Sequence, residues 1–175
     1  PAPRRFVVLV VDDLHIQALN LMRLKKTLDR FLTSEIAPED MVALVTTSGT
    51  RSQDLTDDRH TMRQVVAKLS LQDRRLQDFE VPYITDSQAE LIERGDPEAL
   101  MVAVQEIMVR RPMTPNPEGE ARAVARMVLQ QSISNARVTF ETVNNVTRGM
   151  ARLPGRKLIL LVSDGFTSGF GVHRR

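Results

Sequence analysis

Two runs of consecutive apolar residues dominate the hydrophobic pattern, and each run ends abruptly at acidic residues. The first covers residues 6–11 and is followed by Asp12-Asp13, while the second covers 158–162 and is followed by Ser163-Asp164. A strand that is apolar on both faces is usually buried on both faces, which indicates a parallel sheet covered by helices. We therefore predict two adjacent strands in the middle of the sheet. Their acidic ends would lie at the edge where such sheets bind ligands.

The rest of the pattern predicts further strands and helices in alternation. A second buried strand is predicted at 41–45, with an exit loop at 46–49 and a short edge strand at 54–56. Apolar residues at helical spacing predict amphipathic helices at 16–31 and after Asp57 or Asp58. A helical block then precedes the last strand. This order is typical of an α/β fold, which we predict as a doubly wound, mostly parallel sheet flanked by helices.

Two helix starts share one signature. Asp96-Pro97-Glu98 and Asn116-Pro117-Glu118 each provide an N-cap residue, a proline at the first helical position and an acid in the first turn. The second helix could extend to Arg152, which corresponds to about 54 Å and exceeds the width of a compact domain. We therefore expect a kink or break at 132–135, where poor helix formers cluster.

Length and composition limit the possible classes of protein. We interpret residues 1–175 as a single domain with a helical elaboration at 71–130, and as a fragment of a longer protein or an incomplete sheet. The absence of cysteine excludes disulfides, thiolate metal sites and a cysteine nucleophile. A net charge of +2 and only 4% aromatic residues argue against nucleic acid as a partner. No signal peptide is visible, and no segment has the roughly 20 apolar residues of a membrane span.

Several segments, in this order and spacing, resemble the von Willebrand factor A-related domains found in many exported acidobacterial proteins. The matching segments are Phe6–Asp12-Asp13-Leu14-His15, Asp40–Val45-Thr-Thr-Ser-Gly49, Leu55-Thr-Asp-Asp58, Ile84-Thr-Asp86, Gln88-Ala-Glu-Leu-Ile92, Asp96-Pro-Glu-Ala-Leu100, Leu153-Pro-Gly-Arg-Lys157 and Val162-Ser-Asp-Gly-Phe166. The similarity covers residues 6–166. It implies a Rossmann-like von Willebrand factor A fold, export to the periplasm or cell exterior, and adhesion-type binding of a protein or surface ligand.

The resemblance also implies a metal-ion-dependent adhesion site. Family members build this site from an Asp-x-Ser-x-Ser run after the first strand, a threonine and a later aspartate. Asp12 matches the first acid and Asp164 the last, but the two serine positions are Leu14 and Ile16, so the site is degenerate. Thr139 lies near the place expected for the threonine, although it falls inside a helical pattern.

Two interpretations of these acids stay open. In one, Asp12, Asp13 and Asp164 bind Mg²⁺ or Ca²⁺ together with water, because such cations prefer oxygen ligands. His15, Thr46 and Ser48 would then surround the ion as supporting side chains. In the other, Asp12 or Asp13 caps the following helix and Asp164 accepts hydrogen bonds from loop N–H groups.

Three classes of function therefore compete. The first is a non-enzymatic binding module without catalytic residues. The second is a response-regulator-like receiver, because Val10-Val-Asp-Asp13 and the following helix are similar to the start of such domains. The receiver interpretation lacks a phosphoacceptor aspartate after a third apolar strand and a lysine after the last strand. The third is a metal-assisted hydrolase, which has no recognisable base or nucleophile beyond the same acids.

Overall fold

The computed structural model describes residues 5–70 and 82–165. In chain order, the elements of these residues are β1 (Arg5–Val11), α1 (Ala18–Ser34), β2 (Met41–Thr46), β3 (Ser52–Thr56), α2 (Arg59–Ala67), α3 (Asp86–Glu93), α4 (Pro97–Arg110), α5 (Pro117–Ala151) and β4 (Arg156–Val162). The protein therefore has an α/β fold, as the sequence predicts. The irregular stretch at 71–81, which begins the predicted helical elaboration, lies outside the described residues.

The strands form a mixed sheet in the order β3-β2-β1-β4. β1 pairs in parallel with β2 on one side and with β4 on the other, and Val11 lies beside both Thr46 and Val162. β3 pairs with β2 in the antiparallel direction and lies at one edge of the sheet. The predicted pairing of the two apolar runs is thus confirmed, and so is the short edge strand.

The described residues divide into two compact units, and α5 contributes to both of them. The first unit comprises residues 5–70 and 137–165, while the second comprises 82–136. α5 is a single helix from Pro117 to Ala151. Of the kink or break expected at 132–135, the break is wrong, because helical structure continues through the poor helix formers there, and the kink stays a prediction.

Apolar side chains cover both faces of the sheet in the first unit. On one face Val7, Leu9 and Val11 pack with buried residues of α1 and α2, including Leu28 and Met62. On the other face the core contains Val8, Val10, and Met150 from the end of α5. β1 is almost completely buried because helices cover both of its faces.

β4 differs from its prediction as a central strand buried on both faces. Among the described residues, β4 pairs only with β1 and so forms the second edge of the sheet. Leu158 and Leu161 are 43% and 40% exposed. Apolar runs therefore identified the strand correctly, but they did not show whether it has neighbours on both sides.

The second unit is helical throughout its described elements. Asp96 caps α4 by accepting a hydrogen bond from Ala99 N at 2.9 Å, and Asn116 Oδ1 accepts one from Gly119 N at 2.9 Å at the start of α5. Both predicted helix starts are thereby confirmed. Ile92, Ile107 and neighbouring alanines form the core of this unit. Within the described ranges, no helix is both long and apolar enough to cross a membrane.

Candidate functional site

Asp12 directly follows β1, and its buried carboxylate accepts hydrogen bonds at both oxygens. Oδ1 accepts from the hydroxyls of Thr47 and Thr139, each at 3.1 Å. Oδ2 accepts from the Ser163 hydroxyl at 2.8 Å and lies 2.8 Å from His15 Nδ1. The ends of β1, β2 and β4 and the long helix α5 thus contribute polar groups to one carboxylate.

Asp13 is also buried, and its donors come from the loop after β2. Its Oδ1 accepts from Ser48 N at 2.9 Å, and its Oδ2 accepts from the Ser48 hydroxyl at 2.5 Å and the Thr50 hydroxyl at 3.4 Å. Thr47 Oγ1 lies 3.1 Å from Oδ1 of Asp13 and 3.1 Å from Oδ1 of Asp12. A hydroxyl carries one hydrogen, so Thr47 can donate to only one of these carboxylates at a time.

The sheet places these groups by extending its ladder beyond the strand ends. Thr47 N donates to Val11 O at 2.9 Å, and Asp12 N donates to Val162 O at 2.9 Å. Each bond continues a parallel pairing by one residue. The side chains after β1, β2 and β4 consequently converge at the carboxyl edge of the sheet.

The electrostatics of Asp12 reflect two opposing effects. Burial by itself would raise the pKa of this carboxyl group, but hydrogen bonds from His15, Ser163 and Thr47 outweigh burial and lower its pKa below the usual value. Asp12 is therefore ionised at neutral pH. Within the part of the chain that the structure describes, neither Asp12 nor Asp13 forms an ion pair with a lysine or arginine.

Asp164 has a different role in this structure. Its Oδ2 accepts hydrogen bonds from Gln17 N at 2.7 Å and from the Asn20 side chain at 2.9 Å. Gln17 is the N-cap residue of α1, but its own side chain provides no capping hydrogen bond. Asp164 therefore caps α1 from a distant part of the chain. This geometry matches the interpretation in which Asp164 accepts from loop N–H groups.

Among the supporting side chains predicted for the site, His15 and Ser48 contact the acids, whereas Thr46 bonds to the backbone of Arg51. Neither Asp12 nor Asp13 caps α1 with its side chain, because the N-cap is Gln17. Ile16, at a lost serine position, is a buried core residue.

The sequence-based site omitted Thr47 and Ser163, although both lie in segments that were singled out. The strand register places them at the site, because Thr47 and Ser163 each follow a residue that pairs with Val11, and the sequence carried no signal of that register. Thr139, which lies near the place expected for the threonine of the family site, contacts Asp12, and its role as a metal ligand stays a prediction. Its hydroxyl reaches Asp12 from within α5.

The oxygen atoms at and around Asp12 and Asp13 are the kind of ligand that a hard cation prefers. Two carboxylates and the hydroxyls of Thr47, Ser48, Thr139 and Ser163 supply oxygen only, which is what Mg²⁺ and Ca²⁺ prefer. A cluster of three or more acids and histidines arranged for metal binding is absent from residues 5–70 and 82–165. A cation at this edge would therefore depend on hydroxyl groups and water as well as on carboxylates.

Comparisons of the chain with protein-family models, curated proteins and solved structures find no match.

Proposed function

We propose that this protein is a non-enzymatic binding module that holds a divalent cation, Mg²⁺ or Ca²⁺, at the carboxyl edge of its sheet. Asp12 and Asp13 would supply the negative charge. Hydroxyl oxygens of Thr47, Thr139 and Ser163 would complete the protein's share of the ligands. The cation would offer an open coordination position to a protein or surface ligand.

The supporting observation is a pair of adjacent buried carboxylates that share one hydroxyl donor and lack a lysine or arginine partner among the described residues. Buried charges in proteins are normally paired or bound to metals, because their desolvation is costly. A cation would compensate both charges. It would also allow Thr47 to present its lone pairs, so that one hydrogen need not serve two acceptors.

The proposal includes three features implied by the resemblance to von Willebrand factor A-related domains: the fold, the adhesion-type site and export. A von Willebrand factor A-like, Rossmann-like fold would place an adhesion-type site at this edge, with the lost serine hydroxyls replaced by hydroxyls from other strands and from α5. Export to the periplasm or cell exterior accompanies this resemblance. Binding of the cation by Asp164 stays a prediction, because its carboxylate caps α1 here.

A general-base role for Asp12 is poorly supported by its chemistry. A catalytic base works best with a pKa near the operating pH, whereas the hydrogen bonds to Asp12 lower its pKa. The lowered pKa favours a charged structural or ligand-binding carboxylate over one that acts as a base in hydrolysis.

Labelling with acetyl phosphate separates our proposal from the receiver alternative. A stable phosphoaspartate would contradict our proposal.

Calorimetric titration of Mg²⁺, Ca²⁺ and Mn²⁺ tests the cation directly. We expect saturable binding of at least one ion to the wild type and loss of binding in Asp12→Asn. Asp164→Asn tests separately whether Asp164 contributes to the site, since it removes one acid at this edge but leaves the pair of buried carboxylates intact. If all three ions fail to bind the wild type, the cation site is wrong.

A further inference from the structure

We infer that the outer face of α1 is a docking surface for an acidic segment of a partner polypeptide. This face carries three exposed basic side chains, Arg23, Lys26 and Arg30, which we call the basic stripe. The spacing i, i+3, i+7 places all three on one side of the helix. Adjacent like charges at such spacing destabilise a helix slightly, so the stripe has no evident benefit for folding.

The basic stripe lacks internal charge partners among the described residues. The other charged side chains of α1 are used elsewhere, because Lys25 donates to Ala67 O at 2.8 Å and Asp29 pairs with Arg63 at 2.6 Å. No hydrogen bond or ion pair engages the side chains of the stripe within the described ranges. Its charges therefore face solvent uncompensated, and they are complementary to carboxylates.

The shape of this face adds a second feature. The side chains of Met22, Arg23, Lys26, Thr27 and Arg30 leave a shallow, open depression between them on this helix face. One turn towards the start of α1, Leu19 and Met22 are 91% and 62% exposed. An extended acidic segment with an adjacent apolar residue fits this combination, because its carboxylates would meet the stripe while the apolar side chain covers Leu19 and Met22.

A lipid surface fits less well than a polypeptide. Membrane-surface helices insert a broad apolar face into the bilayer, whereas the main apolar residues of α1, Leu24, Leu28 and Leu32, are buried in the protein core. Leu19 and Met22 alone provide little apolar area for insertion.

Fluorescence anisotropy with a labelled peptide of glutamate and leucine tests this inference on the full chain. We expect saturable binding that weakens as salt increases, and no binding to the same peptide with glutamine replacing glutamate. The combined substitution Arg23→Glu, Lys26→Glu and Arg30→Glu should weaken binding about tenfold or more. Arg126→Glu, Arg148→Glu and Lys157→Glu together form the control, because they change net charge equally at exposed positions outside α1.

Two results would contradict docking of an acidic peptide at the basic stripe. Equal weakening by the control variant would overturn the inference, since it would show attraction to net charge alone. Capture by phosphatidylserine vesicles that depends on the stripe, without peptide binding, would also overturn it. If the glutamate variant fails to fold, substitution of the same residues by glutamine replaces it. Performing the titration in EDTA separates this surface from the cation site, because the stripe should bind the peptide without metal.

Discussion

At the residue scale, buried acids have different partners at the amino ends and at the carboxyl ends of the parallel strands. Asp40, at the amino edge before β2, is 2% exposed and accepts hydrogen bonds from the Arg5 guanidinium at 2.5–3.0 Å. Asp12 and Asp13, at the carboxyl edge, have hydroxyl donors and His15 instead. The amino edge is therefore neutralised internally, whereas the carboxyl edge retains the charge that a cation would compensate.

The Asp40 pair gives a prediction about pH. Hydrogen bonding from Arg5 lowers the pKa of Asp40 in the folded protein, so its ionised form stabilises the fold at pH values above the unfolded pKa of about 4. This contribution is lost as pH falls through the lower folded value. We expect Asp40→Asn to reduce the free energy of unfolding by about 1–3 kcal/mol near neutral pH, with a smaller difference in acid.

Urea unfolding at several pH values measures this effect. Asp29→Asn is the control, because Asp29 also pairs with an arginine but does so on the surface. Its loss should be smaller, since exposed ion pairs contribute little. A difference between wild type and Asp40→Asn that grows on acidification would contradict the assignment.

The candidate site was only partly predictable from the sequence. Asp12 and Asp13 were located because they directly follow an apolar run, and such a run indicates a strand. Thr47 and Ser163 depend on the register between segments that are far apart, which a single sequence does not specify. Asp164 illustrates the same difficulty, since its partners on α1 lie 147 and 144 positions away in the chain.

At the element scale, the apolar sequence of β4 predicted more burial than the strand has in the structure. Its apolar sequence predicted a strand between two neighbours, yet in the described structure it lies at an edge with Leu158 and Leu161 partly exposed. An apolar sequence shows that the side chains of a strand can be buried, but the fraction that is buried depends on the elements that pack against the strand. α5 likewise stays helical through residues of poor helix propensity, and of these Ser132 is buried and its hydroxyl donates to Asp86.

Among residues 5–70 and 82–165, no strand pairs with the outer edge of β4, and this edge predicts self-association. Unpaired apolar edge strands offer backbone groups and side chains to other chains, and an edge lysine is a common natural protection. We expect Leu161→Lys to reduce concentration-dependent association with little loss of stability, as measured by light scattering and thermal unfolding. Val109→Lys is the control, because Val109 is 80% exposed on α4. If both variants reduce association equally, the β4 edge is not its cause.

At the scale of the whole molecule, the division into two compact units makes cation binding testable by location. The groups proposed to hold the ion, including Asp12, Asp13 and Thr47, belong to the first unit. A ligand that binds only the folded state stabilises it by about 2.7 kcal/mol at a hundredfold excess over its Kd. A specific site should therefore protect the first unit directly, whereas a general salt effect has no such preference.

Hydrogen exchange with and without Mg²⁺ or Ca²⁺ measures this difference. We expect slower exchange at the amides of Asp12, Thr47 and Ser48, which bond to the strand ends and to Asp13, and little change at Ala103 in the core of the second unit. EDTA should reverse the protection, and Asp12→Asn should abolish it while leaving the exchange of Ala103 unchanged. Equal protection of both units would indicate a general ionic effect, and protection that persists in Asp12→Asn would place the ion elsewhere. Local protection that requires Asp12 would tie the bound ion to the buried carboxylates, because a change in overall salt concentration does not act on one strand end and spare the core of the second unit.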